Sequence, residues 1–486
     1  MAARCRGVTD GSGYWDSAEY ERLTEIAVAA VTRHVEESQA GEVPVGSPPP
    51  LTELVDRLDL RSLVRAGGLD AERFEPWLAE VLAHSVRLHH PAQIAHQVGS
   101  PDIPSAIADL IHGAINQPMS IYEMGPAAHA MERVVVEWMT EKLGWPSGSG
   151  GVLTHGGSLA NFTVLLAARA AAAPDAWVDG VDGTLAVLAP RSTHYSVRRS
   201  VAMLGLGERA VVDLEVDAEE RIVASALGEA LDRCRAAGRR PMALVAAACA
   251  TSTGLHDDLE AIGAFCREHG IWFHVDAAHG APALLSPAHR ELLRGIERAD
   301  SAIWDAHKMM RTPALAAAVL VRDGTRLEAA FQQKAAYLIY EEPAREGQSL
   351  PPGEGLSLLE RQVECTKAPI GMRIFMNLAF RGEDGIGGYV ADRYERTLRF
   401  WELIEARPGF ECLSRPESNI LCFRHGRDPE LQVRLREQLL REQRFHLSST
   451  EVNGERWLRM TVTAPATSED TIEALLDAIE ELVAEG

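Results

Sequence analysis

The chain has 486 residues, 46% of them hydrophobic and 24% charged, ordinary values for a globular protein of two or three lobes that argue against wholesale disorder or a fibrous architecture. Its formal net charge of -22 repels phosphate backbones and anionic lipid, and no basic patch offsets it, so neither nucleic acid nor a membrane surface is an expected partner. Seven cysteines without a Cys-x-x-Cys pair point to reduced thiols in a cytoplasm, with no disulfide framework and no metal site.

Met1 to Gly13 carries no apolar segment behind its arginines, so no secretory signal is expected. The spacing of apolar residues predicts a helix over Ser17 to His34, and a Gly/Pro/Ser-rich loop over Glu36 to Pro50 interrupts it. Helical patterns resume over Leu51 to His89 and Pro126 to Leu143, until Gly144 to Gly151 breaks the chain. Beyond that break, short apolar runs alternate with helical stretches. The runs are Thr184 to Ala189, Met242 to Ala248, Ile271 to Val275, Ala302 to Trp304 and Ala316 to Val321, and the helical stretches include Ser158 to Ala172 and Asp257 to Glu268. Such alternation predicts an α/β fold with a mostly parallel sheet whose ligand sits beyond the C-terminal strand ends. The longest apolar stretch, Pro313 to Val321, falls short of the roughly 20 residues of a membrane helix. From about Gly385 a long helix, strand-like Asn419 to Phe423 and Trp457 to Val462, and an amphipathic helix over Ser468 to Glu485 predict a smaller α+β domain.

Three stretches are hard to explain as packing. Thr154-His155-Gly156-Gly157-Ser158 is a glycine turn feeding a helix, whose open backbone N–H groups and serine hydroxyl suit an anion. His274-Val275-Asp276-Ala277-Ala278 puts a carboxylate at the end of an apolar strand, where it needs a cationic or hydrogen-bonding partner. Asp305-Ala306-His307-Lys308 places a lysine just after another such strand, where a lowered pKa would let it form a Schiff base. Singly each has a bland reading as a helix entry, a capped acid or a solvated lysine. Together they supply what pyridoxal 5′-phosphate needs.

With His194-Tyr195-Ser196, these motifs make the chain resemble the group II pyridoxal-phosphate-dependent amino acid decarboxylases, relatives of the glutamate, diaminobutyrate and aromatic amino acid enzymes, from about His90-Pro91 to Arg381 and on to Trp457-Leu458-Arg459-Met460. The resemblance implies fold type I, the aspartate aminotransferase-like fold. Its divisions would be an N-terminal helical arm and dimerisation segment (1–100), a large cofactor-binding domain (101–384) and a small C-terminal domain (385–486). It further implies a cytoplasmic homodimer with active sites shared between subunits. In this likeness Lys308 carries pyridoxal phosphate as an internal aldimine, and His307 lies near the phosphate. Asp276 holds the pyridinium nitrogen, while His194 and Ala278 cover the two ring faces. Gly157 and Ser158 meet the phosphate, Thr251 lies near the ring hydroxyl, and His90, Tyr122 and Lys367 stand on the substrate side. Lys308, His194 and Asp276 are the catalytic set. An L-amino acid would lose CO2 through a quinonoid and leave as the amine.

Departures bear on the outcome. Cys249-Ala250-Thr251 stands for Gly-Thr-Thr, and Asp305-Ala306-His307-Lys308 for Asn-Pro-His-Lys. The family's proton-donating loop tyrosine falls on Leu356 within Glu341 to Arg361, and Lys367 replaces an arginine associated with the substrate carboxylate. Leu356 opens an alternative, oxidative deamination to aldehyde, ammonia and hydrogen peroxide. A catalytically silent regulatory homologue is the third reading, against which the intact Lys308, Asp276 and His194 speak. The segment Ser120 to Pro126 does not reproduce the polar set associated with glutamate, which leaves a small acidic or ω-amino substrate open and an aromatic one less expected.

Overall fold

The computed structural model describes residues 15–333 and 358–485, so Leu356 and positions 341–357 of its loop lie outside the described residues. The chain divides into two compact units, the first from Met1–Ile94, Arg434–Leu447 and Ala464–Gly486, the second from Ala95–Val433 and Ser448–Thr463.

In the first unit the helix Ser17–Ala40 starts where the Asp16 carboxylate accepts the Ala18 N–H at 2.9 Å, and it stops at Gly41 with φ 69°. It packs against Ala71–Ala83. The predicted helical stretch from Leu51 is three helices, Leu51–Arg57, Leu60–Ala66 and Ala71–Ala83, because Asp59 at φ 50° and Gly67 at φ 65° each end a run.

The second unit holds a seven-stranded sheet. Its strands are β1 (Gly150–Thr154), β2 (Leu185–Pro190), β3 (Val211–Leu214), β4 (Arg240–Ala247), β5 (Trp272–Asp276), β6 (Ser301–Asp305) and β7 (Ala317–Val321), in the order β1-β7-β6-β5-β4-β2-β3. β2 to β6 run parallel, and β7 alone is antiparallel to its neighbours β6 and β1. Alternate side chains enter opposite cores, as a two-residue period requires. Ala302 and Trp304 join Leu244, Phe273 and the helix Pro126–Lys142 on one face, while Ile303 joins Val187, Val245 and the helix Gly157–Ala172 on the other. Buried on both sides, these strands read as continuous apolar runs, which is why the sequence exposes them.

The sequence reading gives no strand at β1 or at the short β3. A Cβ at Gly151 would run into the Val319 carbonyl oxygen, so the close approach to β7 demands a glycine where sequence reasoning sees only a break. The same unit carries the smaller antiparallel sheet, β8 (Phe410–Cys412), β9 (Ile420–His425), β10 (Ser448–Val452) and β11 (Glu455–Thr461), in the order β10-β11-β9-β8. The large mostly parallel sheet is the one the sequence predicts, and the strand-like segments Asn419 to Phe423 and Trp457 to Val462 fall on β9 and β11 of the smaller sheet. Among the described residues no helix is long and apolar enough to cross a membrane.

Candidate active site

The C-terminal ends of β1, β2, β4, β5 and β6 share one edge of the large sheet, and the turns leaving them line a cavity of about 260 Å³. Every cofactor residue expected from the sequence is on its wall: Gly157 and Ser158 after β1, His194 after β2, Thr251 after β4, Asp276 and Ala278 at β5, and His307 and Lys308 after β6. The helix Gly157–Ala172 begins here with no capping side chain, so the Gly157 and Ser158 N–H groups at its start stay open to a ligand. Gly157 is required because a Cβ there would come within 2.9 Å of Asp305 Oδ2. Asp305, almost fully buried, accepts from Lys308 Nζ at 3.1 Å and lies 3.7 Å from His307 Nε2.

A buried hydrogen-bond chain fixes Asp276. Trp272 donates to Ser301 Oγ at 2.8 Å, and Ser301 Oγ meets His274 Nδ1 at 3.0 Å. With Nδ1 accepting from Ser301, His274 Nε2 donates to Asn161 Oδ1 at 2.9 Å, and Asn161 Nδ2 donates to both Asp276 Oδ2 (3.0 Å) and Ser196 Oγ (2.9 Å). Burial pulls the His274 pKa down to about 4, which agrees with a neutral ring in this role. Ser196 Oγ, accepting from Asn161, donates to His194 Nδ1 at 2.7 Å, so a neutral His194 carries its proton on Nε2. Burial also lowers the His194 pKa, with Asp276 opposing. Sequence reasoning quoted Ser196 inside a motif and passed over Asn161 within the helical stretch Ser158 to Ala172, giving neither a role. The signal was available in Asn161, which stands one helical turn past Gly157 and so faces the same cavity.

The model of the pyridoxal-dependent decarboxylase conserved domain matches residues 76–426. The chain belongs to the pyridoxal-dependent decarboxylase family. It is 30% identical over 445 residues to the L-2,4-diaminobutyrate decarboxylase of Rhizobium meliloti (strain 1021), covering 90% of this chain and 86% of the relative. It is 31% identical over 374 residues to the cysteine sulfinic acid decarboxylase of Mus musculus, covering 76% of this chain and 74% of the relative. The crystal structure of mouse CSAD superposes with TM-score 0.88 at 26% identity, over 96% of this chain and 99% of that one.

The enzyme is therefore an amino acid decarboxylase of fold type I, a lyase whose cofactor is pyridoxal 5′-phosphate. The cavity fits that group chemically. It offers an amine to an aldehyde, a half-buried and anchored carboxylate to a ring nitrogen, and uncapped N–H groups with a serine hydroxyl to a phosphate. Among the described residues no cluster of three or more His, Cys, Asp or Glu side chains is arranged to hold a metal ion.

The three residues expected on the substrate side are not brought to this cavity wall. His90 lies in the first unit, where Nδ1 accepts from the Ala92 N–H at 3.0 Å and Nε2 donates to the Val43 carbonyl at 2.9 Å. Tyr122 is half exposed, with its ring edge-on to His129. Lys367 is fully buried, donating to Glu132 Oε1 and to the Leu153 carbonyl, each at 2.5 Å, and Glu132 Oε1 in turn accepts the Leu153 N–H at 3.0 Å. Its charge is already neutralised, and the pair clamps the helix Pro126–Lys142 to β1.

The sequence reading missed Arg459. It is buried on β11, and its Nε and one Nη have no hydrogen-bond partner among the described residues. Cys249, whose thiol burial pushes up to about 11, lies within electrostatic reach of both Lys308 and Arg459. A buried guanidinium without a counter-ion among the described residues asks for an anionic ligand.

Proposed function

We propose that this enzyme removes the α-carboxylate of a short L-amino acid whose side chain ends in a charged group, releasing CO2 and the amine. The observation that carries the reading is the single cavity presenting both Lys308 and the anchored Asp276. The names of the relatives support the substrate class, since diaminobutyrate and cysteine sulfinate are both short amino acids with a charged end.

Bound pyridoxal phosphate supplies the electron sink for the bond that breaks. Lys308 Nζ would hold the group through its aldehyde carbon and would give way there to the substrate amine. Asp276 holds a proton on the ring nitrogen, and the Asn161, His274 and Ser301 chain keeps its carboxylate in place. His194 and Ala278 would cover the ring and exclude water. Gly157, Ser158 and His307 would hold the phosphate, and Thr251 the ring hydroxyl. Once Lys308 is engaged, Asp305 Oδ2 still has His307 Nε2 as its neighbour at 3.7 Å. Arg459, not Lys367, pairs with a substrate carboxylate.

These last assignments separate cleanly in measurement. Arg459→Met is expected to raise KM at least about tenfold, equivalent to about 1.4 kcal/mol, without lowering the urea midpoint. Lys367→Met is expected to cost about 3–5 kcal/mol of stability, because Glu132 is left buried and charged. Unchanged KM in the first, or an unchanged midpoint in the second, contradicts the assignment.

We also read the enzyme as a cytoplasmic homodimer. The helix Ile103–Ile115 exposes Ile103 (72%), Ile107 (40%) and Ile115 (51%), and Phe380 is 66% exposed, an apolar set that suits a subunit contact. Light scattering of active enzyme should give twice the 52.9 kDa chain mass, and a fully active monomer contradicts the dimer.

The function itself is tested by a panel of L-amino acids with simultaneous detection of CO2, amine, ammonia and peroxide. The expected result is CO2 and amine in equal amounts from at least one short charged substrate and none from its D-enantiomer. A panel that releases no CO2 overturns the reading, and aldehyde with peroxide as the main products replaces it with oxidative deamination.

A further inference from the structure

We propose that His155, oriented by Glu364, is the acid that protonates the substrate carbon as its carboxylate leaves; the inference rests on the decarboxylase reading. Decarboxylation breaks the Cα–carboxylate bond and leaves its electron pair on the carbon. The amine forms only when a proton arrives to make the new C–H bond, so an acid has to stand within reach of that carbon.

Most titratable side chains on the cavity wall are already committed. Asp276 and Asp305 accept from Asn161 and Lys308. His307 Nδ1 is held by the Ala316 peptide at 2.9 Å. Lys308 has to return as a neutral amine to bond the aldehyde again. A neutral His194 offers only a weakly acidic N–H, because its Nδ1 accepts from Ser196 and burial disfavours the second proton. Tyr195 is 56% exposed, and its hydroxyl has no orienting partner among the described residues.

His155 differs from all of these. It lines the cavity on the turn after β1, and its Nδ1 donates to Glu364 Oε1 at 2.6 Å. The other Glu364 oxygen is buried without a partner, and the charged group within its further electrostatic reach, Lys367, is already paired with Glu132. The His155 Nε2 has no hydrogen-bond partner among the described residues, and the side chain is 33% exposed. An imidazolium anchored at one nitrogen by a carboxylate can release a proton from the other, and this one recovers its proton from solvent. The step balances. The substrate carbon gains the Nε2 proton and keeps the electron pair, CO2 leaves, and His155 takes one proton from water for each turnover.

The test follows CO2 and amine separately in a single turnover of the loaded enzyme between pH 6 and pH 9, with the visible spectrum recording cofactor occupancy. His155→Gln should release CO2 within about threefold of the wild-type rate yet form amine about 10²-fold more slowly, and lose the alkaline limb of the amine-forming profile. Glu364→Gln, a positioning change behind the ring, should lower kcat with KM unchanged and move that limb to lower pH, since a neutral amide no longer stabilises the imidazolium. A strongly hydrogen-bonded imidazole proton should resonate far downfield in the proton NMR spectrum of wild-type enzyme and vanish from both variants. Equal CO2 and amine at the wild-type rate in His155→Gln overturns the assignment. Where that variant does not load cofactor, an unchanged pH profile in Glu364→Gln overturns it. Wild-type enzyme that releases no CO2 from any amino acid overturns the decarboxylase reading instead, and this assignment with it.

Discussion

Lys308→Ala enzyme is expected to turn over at least about 10³-fold more slowly than wild type, about 4 kcal/mol of lost transition-state stabilisation. The size of the effect follows from two functions of one atom. Nζ is the amine on the cavity wall placed to bond the cofactor aldehyde, and it is the cationic partner of the buried Asp305 at 3.1 Å. Removing it therefore takes away the covalent attachment and leaves a carboxylate uncompensated, which by itself destabilises the fold. Lys308→Arg separates the two, because a guanidinium keeps a positive charge beside Asp305 and cannot form a Schiff base at neutral pH. Arg enzyme should keep the wild-type urea midpoint and share the loss of turnover, as steady-state CO2 release reads it. Turnover in Lys308→Arg within tenfold of wild type would show that Nζ is not the reacting amine.

The second large effect belongs to Asp276. Asp276→Asn preserves shape, and the Asn161 and His274 chain that positions it has no reason to collapse, so folding and some cofactor retention are expected. What is lost is the negative charge that keeps a proton on the ring nitrogen. Turnover should fall about 10²–10³-fold, the usual cost of removing one preorganised electrostatic partner from a buried site. Near-wild-type turnover in this variant would mean that the electron sink works without Asp276.

The sequence carried the site because its residues sit at strand ends. An apolar run followed at once by Asp276, Asp305 or Lys308 is visible in one dimension, and the parallel sheet then brings those ends to one edge. What stayed hidden depends on pairings across long separations. Lys367 reads as a spare cation until Glu132, 235 residues away, is seen to neutralise it. Arg459 reads as an ordinary strand residue until its buried Nε and one Nη are seen to lack a hydrogen-bond partner among the described residues. His155 was quoted with the glycine turn, but its carboxylate lies 209 residues further on. β1 escaped because its two glycines, one of them required by the approach of the Val319 carbonyl, imitate a loop.

The most direct test of the account is to reduce the purified yellow enzyme with borohydride and map the pyridoxyl group by peptide mass spectrometry. The account predicts that the absorption band bleaches and that the label lies on Lys308, in the peptide containing His307 and Met309. A label on another lysine, or protein that binds no pyridoxal phosphate, would contradict it.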